Sequence, residues 1–349
     1  MSLEWAGFML GCGFGVAARL GRFCLLRGLR QRLTGDAEAP ALRAFALALA
    51  TAIGTTQWLV GQQELDLSQA VLLRTEFAAG GMLIGGMLIG GMLFGLGMSM
   101  ARSCGARALV LLAGGNLRAL VVLLGLGLAA QASLTGVLVP LRKWLQLGQV
   151  NIESASIPAY LASQGLEAGP ALLLGAGLPV IGLVFYSLRG GLLRRAPVEA
   201  AMAVVIGLLV TLGWWITIHV GMDEFDPVPP TSLSFIGPVA ESLLYVQVAV
   251  GRAFSLGPAI VCGTLVGAWI ATLTTGNFKL EGFEAPRQLL ACLAGGLLMG
   301  FGGVLAVGCS IGQGLSGLST LSIASLPAGC GIIIGTGIGL TIKTTFFKE

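Results

Sequence analysis

The chain is predicted to be an all-α polytopic membrane protein, a single membrane domain over residues 1–349, and three observations predict it. Only 10% of its residues are charged, where a soluble domain carries about 25%. With 55% hydrophobic residues and a mean hydropathy of +0.90, too little polar surface remains to coat a water-soluble globule, so lipid must be the solvent for most of the chain. The third observation is a series of apolar runs near the roughly 20 residues that cross a bilayer.

In order, those runs lie near 5–20, 44–60, 77–101, 118–139, 170–188, 198–220, 256–275, 288–306 and 328–342, about nine crossings. Shorter apolar stretches near 105–114, 233–251 and 311–326 read as re-entrant or interfacial half-helices. The first run opens on Glu4 with no basic region and no clean cleavage site after it, so the first helix is expected to be retained. Arg19, Arg22, Arg27, Arg30, Arg32 and Arg43 follow the first run as a loop cluster, and Arg189, Arg194 and Arg195 precede the sixth. Those loops are expected on the cytoplasmic side. Glu64, Asp66 and Glu76, and Asp223, Glu224 and Asp226 with Pro227, Pro229 and Pro230, are then outside, as is the N-terminus. Residues 81–95 repeat Gly-Gly-Met-Leu units, and the pairs Gly81 with Gly85, Gly86 with Gly90 and Gly91 with Gly95 read as close helix packing.

Composition also excludes functions. A scattered net charge of +4 is no nucleic-acid footprint, and a single histidine, His219, leaves a Ser/His/Asp triad or a His-rich metal centre possible only through that one residue. The seven cysteines form no CxxC pair, which argues for free thiols over a disulfide framework or zinc knuckle. No cofactor, metal or enzymatic activity is expected.

The most informative feature is a self-match at an offset of 205 residues. Gly90, Gly91, Leu93, Gly95, Gly97, Ala101 and Cys104 recur as Gly295, Gly296, Leu298, Gly300, Gly302, Ala306 and Cys309. A rare cysteine falling in register at the end of both runs points to a duplicated transporter fold, with halves 1–169 and 170–349. A weaker echo sets Gly21-Arg22-Phe23 against Gly276-Asn277-Phe278, with Cys24 answered by Lys279. Small residues follow each repeated cysteine, as expected of a broken helix whose freed amides line a cavity. If a helix restarts there, its N-terminal amides and positive dipole end face the cysteine and favour an anion.

At these residues the chain resembles the YeeE/YedE family, bacterial sulfur-transport membrane proteins whose characterised members import thiosulfate. The resemblance rests on Arg22-Phe23-Cys24 with Gly35-Asp36, on Cys104-Gly105-Ala106-Arg107 leading to Gly114-Gly115-Asn116-Leu117-Arg118, on Gly213-Trp214, and on Gly308-Cys309-Ser310-Ile311-Gly312-Gln313-Gly314-Leu315-Ser316-Gly317. It implies an hourglass-like inverted repeat in the bacterial inner membrane, with recesses from both faces meeting at a thin barrier. It also implies that Cys24, Cys104 and Cys309 relay the anion, and that a cytosolic TusA-like sulfur carrier receives it. Arg102 and Ser103 depart from the small residues expected before Cys104, which bears on the width and selectivity of that side.

The chemistry is consistent. A dianion in hydrocarbon faces a desolvation cost of tens of kcal/mol, so the barrier must be short and lined with donors. Neutral thiols are weak donors that can touch a soft sulfur anion without trapping it. Ser310, Gln313 and Ser316 are candidate donors or helix caps, Arg107 and Arg118 are anion attractors or face charges, and Asn116, in a Gly-Gly-Asn break, reads as a cap or turn residue. Cys12, Cys262, Cys292 and Cys330 read as small apolar fillers. The alternatives are a selenium-species transporter of the same fold, a membrane sulfurtransferase working through a Cys24 persulfide, and a soft-metal conduit using the thiols with Met98, Met100 or Met299.

Overall fold

A computed structural model describes residues 2–36, 38–73, 86–146, 155–221, 229–283 and 285–346. Among these there is no strand, only isolated bridges between Asn116 and Glu281 and between Ser156 and Ser322. Nine helical segments among the described residues are long and apolar enough to cross a membrane: Leu3–Leu33, Pro40–Gly61, Gly86–Ala113, Leu117–Leu134, Gly169–Arg189, Pro197–His219, Leu256–Thr274, Pro286–Leu305 and Ser325–Ile342. Each meets one of the nine apolar runs, so the chain is a multi-pass, all-α membrane protein. Residues 77–85 of the third run, with Glu76, Gly81 and Gly85, and the acidic loop positions Asp223, Glu224, Asp226 and Pro227, lie outside the described residues.

The principal helices are α1 (Leu3–Leu20), α2 (Leu25–Leu33), α3 (Pro40–Gly61), α4 (Ile89–Ala101), α5 (Gly105–Ala113), α6 (Leu117–Leu134), α7 (Leu178–Arg189), α8 (Pro197–His219), α9 (Ile236–Val248), α10 (Leu256–Thr274), α11 (Pro286–Leu305) and α12 (Ser325–Phe346). Two results differ from the sequence reading. Most of the arginines lie on helices and not in loops: Arg19 in the last turn of α1, Arg27, Arg30 and Arg32 on the short helix α2, Arg43 at the start of α3, and Arg194 and Arg195 in the helical turn Leu192–Arg195. In α2, Leu25, Leu26 and Gly28 bury one face while Arg30 stays exposed. The fourth run stops at Leu134, where Thr135 and Gly136 turn back on Gln131 and Ala132.

Glycine decides the packing. α1 and α10 run side by side in the same direction, and a Cβ on Gly11 or Gly15 would overlap the carbonyl oxygens of Ile260 or Thr264, as one on Gly263 would overlap that of Phe8. The weak echo of Gly21-Arg22-Phe23 in Gly276-Asn277-Phe278 therefore joins parallel neighbours, which an inversion would set antiparallel.

α4 and α11 cross the other way. A Cβ on Gly90 would stand 2.7 Å from the Gly302 oxygen, and one on Gly97 would stand 2.5 Å from the Gly295 oxygen. Since Gly90 matches Gly295 and Gly97 matches Gly302 in the self-match, exchanging the helices reproduces the contact. The next layer follows suit: Gly91 and Gly95 meet the Ala328 and Ile332 oxygens of α12, while Gly296 and Gly300 meet the Val122 and Leu126 oxygens of α6.

The arginine-rich ends gather on one face. Arg27 pairs with Glu199 at 2.5 Å, Arg195 with Glu38, and the Arg43 Nη1 donates to the Tyr186 carbonyl at 2.6 Å.

Candidate functional site

The site is built from three helix breaks of one design. Arg22, Arg102 and Val307 are non-glycine residues held in the left-handed region, at φ of 46°, 56° and 53°, and each stands two residues before a cysteine. For a β-branched residue such as Val307 this conformation is an outlier that the surroundings must hold in place. The turn ends one helix and aims the next, so Cys24 and Cys104 occupy the N-cap positions of α2 and α5. Cys309 precedes a π-helical turn over Gly312–Gly317, with its carbonyl accepting from the Gln313 N–H at 2.7 Å. Two of these left-handed residues are arginines with exposed side chains, and nothing in their residue type announces the conformation.

The breaks bring the predicted cysteines together in the interior. Cys24, Cys104 and Cys309 are 5%, 4% and 1% exposed. The Cys104 thiol is within electrostatic range of both the others, the Arg107 backbone N–H points at its sulfur, and the Ser310 hydroxyl faces it. Around the Cys309 sulfur stand the backbone N–H groups of Phe235, Ile311 and Gly312, the last at 3.2 Å. This is a donor-rich lining, the environment an anion requires.

Polar side chains near Cys309 divide by their partners. The Ser310 Oγ is buried and, apart from the Cys104 thiol it faces, has no hydrogen-bond partner, which leaves its hydroxyl to be shared with a guest. Both donor directions of the Gln313 amide are used: its Nε2 reaches the Ala306 carbonyl at 2.6 Å and the Val307 carbonyl at 3.3 Å. Only the Gln313 Oε1, an acceptor, is left unpartnered. Ser316 donates to the Leu233 carbonyl at 2.7 Å, tying the turn to the strap before α9. The Gly213-Trp214 motif braces the same region: a Cβ on Gly213 would stand 2.6 Å from the Ser232 Oγ, and the Trp214 Nε1 donates to the Ser319 Oγ at 3.1 Å.

A cavity of about 1320 Å³ descends to this break from the face that carries the N-terminus of α1. Glu4, Pro229 and Pro230 line its mouth region, Ser232, Ser234, Gly308, Gly312 and Ser316 line it beside Cys309, and Arg142, Lys143 and Arg252 make its wall net positive beside Glu4 and Glu241. The Arg142 Nε is buried and has no hydrogen-bond partner.

Beyond the thiols lies the arginine-rich face. Phe23 stacks on Phe45 at 5.3 Å between ring centroids, and Phe45 lies against Gly314 of the π turn. Arg19 sits close enough to both Arg107 and Arg22 to be repelled by each, so positive charge gathers on the side of Arg107, whose backbone N–H meets Cys104. Arg118 donates from Nε to the Gly282 carbonyl at 2.6 Å, and Asn116 caps α6 by accepting from the Ala119 N–H. Gly115, at φ 96°, allows residues 279–281 to pair with this turn, since a Cβ there would stand 2.5 Å from the Lys279 oxygen.

Of the other cysteines, Cys262 and Cys330 are exposed on outward helix faces, Cys12 is half-buried and Cys292 is buried in α11. Among the described residues, no three His, Cys, Asp or Glu side chains converge closely enough to hold a metal ion.

Comparison with known proteins places these features in context. The family model described as Sulphur transport matches residues 20–338. The thiosulfate transporter TsuA of Spirochaeta thermophila is 25% identical, over 95% of this chain and 96% of its own length. The thiosulfate transporter TsuA of Escherichia coli is 34% identical over 32% of this chain and 30% of its own.

Proposed function

The chain belongs to the Sulphur transport family, and on that premise we propose that it imports thiosulfate across the bacterial inner membrane by passing the anion between the neutral thiols of Cys24, Cys104 and Cys309. It is a membrane transporter and not an enzyme; the substrate and the relay are the proposal. The observation that carries it is the set of three buried cysteines, each two residues after a left-handed turn at a helix break, around a buried Ser310 hydroxyl that faces the Cys104 thiol and has no other partner.

In this reading the dianion enters the large cavity, drawn by Arg142, Lys143 and Arg252, and reaches Cys309 among the backbone amides of Phe235, Ile311 and Gly312. Ser310 shares it with Cys104, and Cys24 and Arg107 draw it toward the arginine-rich face. Gln313 acts by holding the Ala306 and Val307 carbonyls, whose negative ends would otherwise oppose the anion. Donors this weak give contacts an anion can leave. The exchanged contacts of α4 and α11 support an inverted repeat of 1–169 and 170–349, in which recesses from both faces would meet at the thiols. A TusA-like carrier on the cytosolic side would receive the product.

Uptake of thiosulfate labelled differently on its two sulfur atoms tests the function. Both labels are expected inside in equal amount; delivery of the outer sulfur alone would make the protein a sulfurtransferase and end the transport reading.

Orientation is tested separately. With the cavity mouth and the N-terminus periplasmic, Asp226→Cys in a cysteine-poor background is expected to react with an impermeant maleimide added to intact cells, whereas Arg30→Cys and Arg194→Cys stay unlabelled until the cells are opened. The opposite pattern would reverse the direction of transport.

A further inference from the structure

The cavity wall holds two carboxylates that the thiol path leaves unused, Glu4 at the mouth and Glu241. Glu241, on α9, is half-buried, and its Oε2 accepts a hydrogen bond from the Ser255 Oγ at 3.5 Å. The same oxygen packs against Gly257 at the start of α10, where any side chain would displace it. Among the described residues, few charges face it. Arg252 leads into α10, and Arg142, Lys143 and Glu4 line the same cavity. Of the helices packed against α9, α10 carries no Asp, Glu, Lys, Arg or His. α6 and α11 carry only Arg118 and Arg287, at the ends remote from the cavity.

A carboxylate is an unexpected lining for a cavity that admits a dianion. As a fixed negative charge it would oppose the substrate in a medium that screens poorly. As a neutral acid it would not oppose it. Burial pushes the Glu241 carboxyl above the ordinary carboxylate range, against the opposing pull of Arg252 and of the Ser255 hydrogen bond. A second negative charge nearby raises a carboxyl's proton affinity further. Binding of anion and of proton must then favour each other by the same factor.

We propose that Glu241 is a proton-binding site linked to the substrate: when the dianion occupies the outer cavity, the Glu241 carboxylate takes one proton from the water outside. The loaded proton cancels one unit of negative charge beside the substrate. The anion's affinity is accordingly highest at acid pH and falls as pH rises through the Glu241 titration. The inference rests on thiosulfate being the substrate.

Calorimetric titration of thiosulfate into the purified full chain, in two buffers of equal pH and different ionisation enthalpy, reads the protons taken up per anion bound. Wild type is expected to show buffer-dependent heats corresponding to uptake of up to one proton. Glu241→Gln, which keeps the shape and the Ser255 contact, is expected to bind with heats independent of buffer and with an affinity flat in pH. Glu4→Gln is expected to behave as wild type. Equal proton uptake by wild type and Glu241→Gln overturns the proposal, and so does its loss in Glu4→Gln with retention in Glu241→Gln. Absence of any thiosulfate binding by wild type would strike the substrate assignment itself, and with it this inference.

Discussion

Replacing Cys309 or Cys104 with alanine is expected to reduce thiosulfate uptake by an order of magnitude or more while leaving the protein folded. Each change removes one buried sulfur, a small loss that costs on the order of 1 kcal/mol of stability. On the proposed relay it also removes a donor to the anion, and a hydrogen bond to a charged group contributes about 1.5–3 kcal/mol. That corresponds to roughly a tenfold to hundredfold loss of uptake for each variant. Cys262→Ala and Cys330→Ala, on exposed outward faces, are expected to transport normally. Uptake per folded molecule, with detergent-extracted protein quantified by size exclusion, checks both. Near-normal uptake by the first pair would remove the relay, and severe loss in the second would put the path elsewhere.

Gly263→Val is expected to cost the fold itself. A Cβ at this position would overlap the Phe8 carbonyl oxygen, and the obstacle is backbone, so no side chain can swing aside. Overpacking of a close contact costs about 1–3 kcal/mol even where side chains can adjust. Here α1 and α10 must separate, and α1 is the helix that aims Cys24. The variant is expected to be recovered mainly as aggregate, with a lowered thermal transition in any monodisperse fraction. Gly182→Ala makes the contrast: a Cβ there meets nothing within 4 Å, and the better helix former should be neutral or stabilising by up to about 1 kcal/mol. Equal stability of the two variants would show that the α1 and α10 contact is looser than described.

Much of this was legible in the sequence for identifiable reasons. Membrane spans show themselves because every backbone group in lipid must be satisfied within its own helix, and only long apolar runs achieve that. The Cys104 and Cys309 breaks were visible because the duplication repeats a rare residue in register. Asn116 in its Gly-Gly-Asn break read as a cap or turn residue, and it caps α6. Other features carry no local signal. The left-handed turns fall on two arginines and a valine, residue types that oppose the conformation, so they are held by tertiary contacts such as the Gln313 bonds to Ala306 and Val307. The strap of Ser232 to Phe235 reaches Cys309 from more than 70 residues away in the chain. Its apolar residues look in isolation like the start of α9. The basic stretch at Arg27 to Arg32 read as a loop because charge outweighed the period-3.6 placement of Leu25, Leu26 and Leu29.

The central claim is that neutral thiols conduct the anion, and the pH dependence of its passage tests that most directly. Exchange of labelled thiosulfate across proteoliposomes, at equal pH on both sides from about pH 6 to 10, spans the range in which a cysteine of ordinary pKa near 8.5 ionises. Glu241→Gln protein removes the carboxylate from the profile, and a transporter with no cysteine in its path serves as control. A thiolate at the constriction would repel a dianion with little water to screen it. Exchange is expected to hold steady on the acid side and to fall as the thiols ionise. Exchange that rises through that range would contradict the neutral-thiol relay, even if all three cysteines proved essential.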